Sequence, residues 1–140
     1  MNDVDGIYNP EDFARMTEHL DGRAPLMGLF WRIACDSGFR VSDILRLEVG
    51  WVKQGVIDIT ECKTKKRRSV ELLPETMQVF RRYVERAGLS DGDVLFPVSR
   101  QYVWRVIRDA GCACGISCLC RVLILHARHT HGIICSVVAT

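Results

Sequence analysis

A nearly all-apolar segment, residues 25–38 with the sequence PLMGLFWRIACDSG, leaves this chain few ways to fold. Proline favours the first turn of a helix and glycine its C-terminal end, so the segment is predicted to be one helix. It is shorter than the ~20 apolar residues that span a membrane, and a helix that is apolar on all sides normally lies inside a core. We therefore expect a globular domain built around this helix, without a membrane span.

The rest of the pattern predicts further helices and a small sheet. Helices are expected after Asn9-Pro10, after the capping pair Ser42-Asp43, from Pro74 and from Ser99. Short β-branched runs predict strands at Trp51-Val52, 56–60 and 69–72, with a turn at Gln54-Gly55 and a second turn in the basic run 63–68. Residues 121–140 are predicted to be helical around Arg128. The predicted fold is mainly α with a small antiparallel β-sheet (α+β).

Four of the seven cysteines lie within residues 112–120, in the spacing CxCx₃CxC. An odd number clustered late in the chain favours reduced thiols over a disulfide scaffold. The acidic N-terminal stretch has no apolar signal core, which together with the thiols predicts a cytoplasmic protein. The spacing is not the usual pairing of zinc ligands, so no metal is expected, although a zinc-binding regulatory domain remains an alternative.

Basic charge is concentrated in one part of a chain whose net charge is only +2. Residues 61–110 carry eleven Lys/Arg and seven Asp/Glu, whereas residues 1–60 carry six and ten. Such a distribution predicts a face that binds polyanions, of which DNA is the obvious one. A solvated surface is the alternative.

Three basic sites stand out along the chain. Arg40 is predicted to lie at a helix junction, where it either offers its planar fork to a phosphate or pairs with Asp43. The run 63–68 is predicted to form a hairpin tip that contacts DNA phosphates, or else a solvated turn. Around Arg128 there are three histidines, a residue type suited to proton transfer, to metal binding or simply to a surface.

Four boxes in this order resemble the catalytic domain of the tyrosine recombinases, the phage integrase family. The segment GFRVSDILRL, residues 38–47, resembles their first arginine box, G-x-R-x-S-(D/E)-x-L-x-L. Lys63-Thr64 followed by VELLP resembles their β-hairpin lysine segment, and Leu95-Phe96-Pro97 resembles the connection into the next helix. Arg128-His129-Thr130 resembles their second arginine box. The resemblance covers residues from about 9 to 132.

The resemblance implies site-specific DNA recombination, in which strands are cleaved and rejoined by phosphoryl transfer without metal or cofactor. Arg40 and Arg128 would hold the scissile phosphate, which predicts guanidinium groups within roughly 10 Å of each other. Lys63 would protonate the departing 5′-oxygen, and His126 would assist as acid or base. The implied partner is double-stranded DNA, with self-association on DNA in the full-length protein. The residues expected to contact DNA are Lys65, Lys66, Arg67 and His129.

Two departures from the family pattern affect the expected activity. The family histidine precedes the second arginine by three residues, a position occupied here by Leu125; His126 is one residue late, a rotation of ~100° on a helix. No tyrosine follows Arg128, although the family nucleophile is a tyrosine there. We therefore expect residues 1–140 to form a single, incomplete catalytic domain, without the N-terminal core-binding domain and the C-terminal nucleophile segment. By itself this domain would be unable to catalyse recombination, because the nucleophilic tyrosine is missing. The alternative is a catalytically dead DNA-binding module derived from a recombinase.

Overall fold

Helices precede and follow a two-stranded hairpin in the computed structural model, which describes residues 10–115. The elements are α1 (Pro10–Arg23), α2 (Pro25–Ser37), α3 (Val41–Leu45), α4 (Val49–Val52), β1 (Val56–Thr60), β2 (Arg67–Glu71), α5 (Pro74–Ala87) and α6 (Arg100–Ala113). The predicted α+β class is confirmed. The helix predicted for residues 121–140 lies outside the described residues. Within residues 10–115, no helix is long and apolar enough to cross a membrane.

Helix α2 lies at the centre of the core, as its composition predicts. Ten of its thirteen residues are buried, and it packs against α1, α3, α5, α6 and β2. Trp31 is fully buried, stacks on Phe13 with ring centroids 5.9 Å apart, and donates its indole N–H to Thr17 Oγ1 at 3.1 Å. Gly38 ends the helix at a φ of 72°, where its N–H donates to the Ala34 carbonyl. The predicted C-cap is therefore confirmed.

Strands β1 and β2 form a hairpin that turns at the basic run. The strands predicted at 56–60 and 69–72 and the turn predicted between them are therefore confirmed. Strands β1 and β2 pair antiparallel, with Ile57 opposite Val70 and Ile59 opposite Arg68. Ile57 and Ile59 are buried, so this face of the ribbon packs on the core. Strand β2 begins at Arg67, two residues earlier than the alternation of side chains suggested.

The strand predicted at Trp51-Val52 is wrong. These residues belong to the one-turn helix α4, and Gly55, at a φ of 87°, leads from that helix into β1. Immediately before Trp51, the backbone N–H groups of Val49 and Gly50 donate to carbonyls at Asp93 and Asp91, at 3.0 and 2.8 Å. Backbone groups bonded to that distant loop cannot extend the ladder of β1.

Of the helix N-caps predicted at Ser99 and at Ser42-Asp43, the first is confirmed and the second is wrong. Ser99 Oγ accepts from the Tyr102 N–H at 3.0 Å, which confirms the cap of α6. Helix α3 instead begins one residue before the predicted Ser42-Asp43 pair, with Arg40 at its N-cap and no side-chain hydrogen bond there. Asp43 does not cap because its carboxylate is turned inward and is fully buried.

Candidate active site

Arg40 occupies the junction between α2 and α3. The left-handed turn at Gly38 redirects the chain, and the residues on either side of Arg40, Phe39 and Val41, are 1% and 2% exposed. These buried neighbours fix the backbone from which the arginine projects. The Arg40 side chain is half-buried, and its Nε is buried without a hydrogen-bond partner among residues 10–115.

Asp43 connects this junction to the hairpin. Its Oδ1 accepts from the backbone N–H of Cys62 at 3.0 Å and from the Arg46 guanidinium at 3.1 Å. Arg46 also donates to the Thr60 carbonyl, at the end of β1. The alternative reading of Arg40 as the ion-pair partner of Asp43 finds no support in the described contacts, since Asp43 binds Arg46 and Cys62 instead.

Arg68 makes a second connection, to the residues just before Arg40. Its NH2 group donates to the Ser37 carbonyl at 2.9 Å, and its NH1 group lies 3.2 Å from Glu61 Oε2. The guanidinium carbon also lies 4.9 Å from the centroid of the Phe39 ring, a cation–π distance. Glu61 is only 2% exposed, so the ion pair is buried between the hairpin and α2.

The hairpin tip is an ordered turn. Thr64 Oγ1 donates to Glu61 Oε1 at 2.5 Å and accepts from the Lys66 N–H at 3.2 Å. Lys65 adopts a φ of 61°, and its N–H donates to the Glu61 carbonyl at 3.0 Å. The side chains of Lys63, Lys65 and Lys66 are exposed and make no ion pair with a described residue. The turn therefore presents three ammonium groups to solvent.

Arg67 differs from these lysines because its charge is already compensated. Its Nε and NH2 groups donate to the two carboxylate oxygens of Asp58 at 2.8 and 2.7 Å. Hydrogen bonding from Arg67 lowers the pKa of the Asp58 carboxyl, since it favours the charged form. Both side chains are exposed, and their pairing holds Arg67 across the hairpin. Because Asp58 compensates the charge of Arg67, the net positive charge of the tip resides on the lysines.

The structure brings the Arg40 junction and the Lys63 turn together through side chains that the sequence reasoning missed or misassigned. The sequence predicts Asp43 as a cap or as the partner of Arg40, places Arg68 in the run that contacts DNA phosphates, and assigns no role to Glu61. The structure instead directs Arg68 inward, to Ser37 and Glu61. The sequence did contain a signal that the Glu61 side chain is buried. Glu61 continues the alternation of Ile57 and Ile59, whose side chains point inward.

The other predicted residues, Arg128, His126 and His129, lie outside the described residues. The expected separation of the Arg40 and Arg128 guanidinium groups therefore stays a prediction.

The cysteine cluster is only partly described. Cys112 is exposed and Cys114 is half-buried, and both thiols are free. Within residues 10–115, no three His, Cys, Asp or Glu side chains are grouped as a metal site requires. Cys118 and Cys120 lie outside this range, so the zinc alternative is not tested.

Known proteins match most of this chain. The model of the phage integrase family matches residues 11–134. The probable integrase/recombinase YoeC of Bacillus subtilis (strain 168) is 34% identical over 124 residues, which cover 83% of this chain and 67% of that protein. The crystal structure of XerA recombinase superposes with a TM-score of 0.65 at 21% identity, over 88% of this chain. The chain thus has the fold of XerA recombinase while spanning 56% of that protein's length. It belongs to the phage integrase family.

Proposed function

We propose that this chain supplies the catalytic domain of a site-specific DNA recombinase, which cleaves and rejoins DNA strands by phosphoryl transfer. One observation carries the proposal. Arg40 projects, without a described partner for its Nε, from a junction to which the lysine-bearing turn is bonded through Asp43 and Arg68. Membership of the phage integrase family supports the same function.

The chemistry follows from the residue types at this junction. An arginine can bind two oxygens of one phosphate, and its fixed charge stabilises the additional negative charge of the transition state. Arg40 takes this role here, and Arg128 is proposed as the second arginine. Lys63 is a flexible donor beside the phosphate and delivers the proton to the departing 5′-oxygen. His126 is proposed as an assisting acid or base.

Double-stranded DNA is the proposed partner. Lys65 and Lys66 contact its phosphates from the exposed turn, with Arg67 and His129 as further contacts. Such contacts position the domain on DNA without reading its sequence. Self-association on DNA and a cytoplasmic location belong to the same proposal.

Binding of a short fluorescent duplex, followed by anisotropy, tests this assignment. The affinity of the chain should fall steeply between about 50 mM and about 200 mM salt, because bound lysines and arginines release counterions. Replacing Lys65 and Lys66 with alanine should lower the slope of log affinity against log salt by about 1.8, roughly 0.9 for each phosphate contact. The loss of affinity should be similar for unrelated duplex sequences.

A matched control removes the same charge elsewhere. Lys53 and Arg108 are exposed and already paired with aspartates, Asp91 and Asp109, at 3.1 and 3.8 Å. The double alanine variant of these two residues should keep the parent's salt slope. Absence of DNA binding by the parent chain at low salt would refute the proposed function. An equal effect of both double variants would refute the assignment of the turn.

A nicked suicide duplex tests the covalent step. The polypeptide of 140 residues has no tyrosine after Arg128, so we expect it to form no denaturant-resistant adduct by itself. An adduct that maps to Tyr8, Tyr83 or Tyr102 would show that the nucleophile lies elsewhere in the chain. DNA binding that persists in the Arg40→Ala variant with unchanged affinity would instead favour a binding module that does not hold a phosphate at Arg40.

A further inference from the structure

Two adjoining cavities lie where α1 ends and α2 begins. The larger, of about 650 Å³, is bounded by this corner and by the outer face of α5. The smaller, of about 240 Å³, lies between α1 and α6. They share Arg23, Ala24 and Tyr102, so together they form one continuous depression across the four helices α1, α2, α5 and α6. We call it the arginine groove because its cationic lining consists of Arg23, Arg32, Arg82, Arg86 and Arg105.

The two acidic residues that line the arginine groove, Asp21 and Asp109, are each already paired with an arginine. Asp21 accepts two hydrogen bonds from Arg32, at 2.8 and 2.9 Å. Asp109 lies 3.8 Å from the Arg108 guanidinium, which is not part of the lining. The remaining cations, Arg23, Arg82, Arg86 and Arg105, have no ion-pair partner among residues 10–115. As far as the described part of the chain shows, the groove therefore carries four arginines whose charge no ion pair compensates.

Intrahelical effects account for only part of this arrangement. Arg23 and Arg86 lie in the last turns of α1 and α5, where the helix dipole favours a cation. Arg82 and Arg86 are four residues apart on one face of α5, however, and like charges at this spacing destabilise a helix. Cations from three helices converge on one depression, and within residues 10–115 no acid of its lining remains to balance them, which favours an external anion.

The arginine groove is separate from the Arg40 junction. Leu26 and Arg32 of α2 line the groove, whereas Ser37 ends that helix beside Arg40. At about 1.5 Å per residue, Ser37 lies roughly 17 Å along the helix from Leu26 and roughly 8 Å from Arg32. Neither Arg40 nor Lys63 lines the groove.

We propose that the arginine groove binds the phosphate backbone of duplex DNA, as a second contact beside the Arg40–Lys63 site. This proposal rests on the proposed function, which makes DNA the substrate. Arginines spread over three helices match a line of phosphates better than one compact anion. Tyr83 and Tyr102 are half-buried in the lining, and a tyrosine hydroxyl can donate to a phosphate oxygen.

The test measures how DNA affinity of the full chain depends on salt when groove arginines are removed. Arg82 and Arg86 are both exposed, so replacing them with alanine should leave the fold intact, as circular dichroism can verify. We expect the slope of log affinity against log salt to fall by about 1.8, since two phosphate contacts contribute about 0.9 each. The double alanine variant of Lys53 and Arg81 is the charge-matched control and should retain the parent's slope, since both residues are exposed and neither lines the groove.

The outcomes separate this proposal from the function on which it rests. If the parent binds DNA and the Lys65/Lys66 variant weakens binding, but the Arg82/Arg86 variant behaves like the parent, only the groove proposal is overturned. If the parent does not bind DNA at all, the proposed function is overturned as well. Poly-glutamate binding that requires Arg82 and Arg86, with an unchanged DNA slope, would overturn the proposal in favour of an acidic protein partner.

Discussion

Replacing Arg68 with methionine should destabilise this domain strongly, whereas the same change at the neighbouring Arg67 should not. Arg68 donates to the Ser37 carbonyl at 2.9 Å and lies 3.2 Å from the Glu61 carboxylate, which is 2% exposed. Methionine keeps most of the apolar stem that packs beside Phe39 but removes both donors. The variant therefore isolates the contribution of the charged group.

The expected loss is about 3–5 kcal/mol in the free energy of unfolding, because the carboxylate of Glu61 stays buried without its arginine. This is a large fraction of the roughly 5–15 kcal/mol by which a domain of this size is stable. With a urea m value of about 1.5 kcal/mol per molar, a loss of about 3 kcal/mol lowers the unfolding midpoint by about 2 M.

Urea unfolding followed by circular dichroism measures this midpoint. Arg67→Met is the matched control, since Arg67 is exposed and its partner Asp58 is exposed as well. We expect its midpoint to stay at the parent value. The double variant Arg68→Met with Glu61→Met should recover part of the lost stability, because it removes the buried carboxylate together with the arginine that compensated it.

Two results would refute this reasoning. Equal midpoints for the Arg68 and Arg67 variants would show that the buried ion pair does not stabilise the connection between the hairpin and α2. A double variant less stable than Arg68→Met would show that Glu61 does not depend on Arg68 for its compensation.

Two further predictions concern the start of α5 and the end of α2. Burial raises the pKa of the Asp36 carboxyl, whose Oδ2 accepts from Thr76 and from the Leu73 N–H. The folded state therefore keeps this proton to a higher pH than the unfolded state, so the contribution of Asp36 to stability falls as pH rises above about 4. Asp36→Asn should gain stability relative to the parent as the pH rises above about 4 in urea unfolding, and a relative loss would contradict the pKa shift. Gly38→Ala should cost about 1–2 kcal/mol because of the positive φ, whereas Gly22→Ala, within α1, should be neutral or stabilising; equal thermal midpoints would contradict this account.

Much of the fold and part of the candidate site were predictable because their causes are local. A nearly all-apolar segment between a proline and a glycine predicted a buried helix, and α2 is that helix. Alternating side chains around the basic run predicted the hairpin, and Ser99 predicted the start of α6. The boxes around Arg40 and Lys63 identified the family from residue type and spacing, before any tertiary contact was known.

Tertiary structure decided what depends on residues distant in the chain. Residues 51 and 52 are helical because the backbone just before them bonds to residues 91–93, which no local pattern reveals. Arg67 and Arg68 are adjacent and chemically identical, yet the pleat of β2 turns one to Asp58 and the other to Ser37 and Glu61. The arginine groove joins residues 23 and 105, which only the packing of α1 against α6 brings together. Periodicity determines which side of an element is apolar, but the partner that each charged side chain meets depends on how the elements pack.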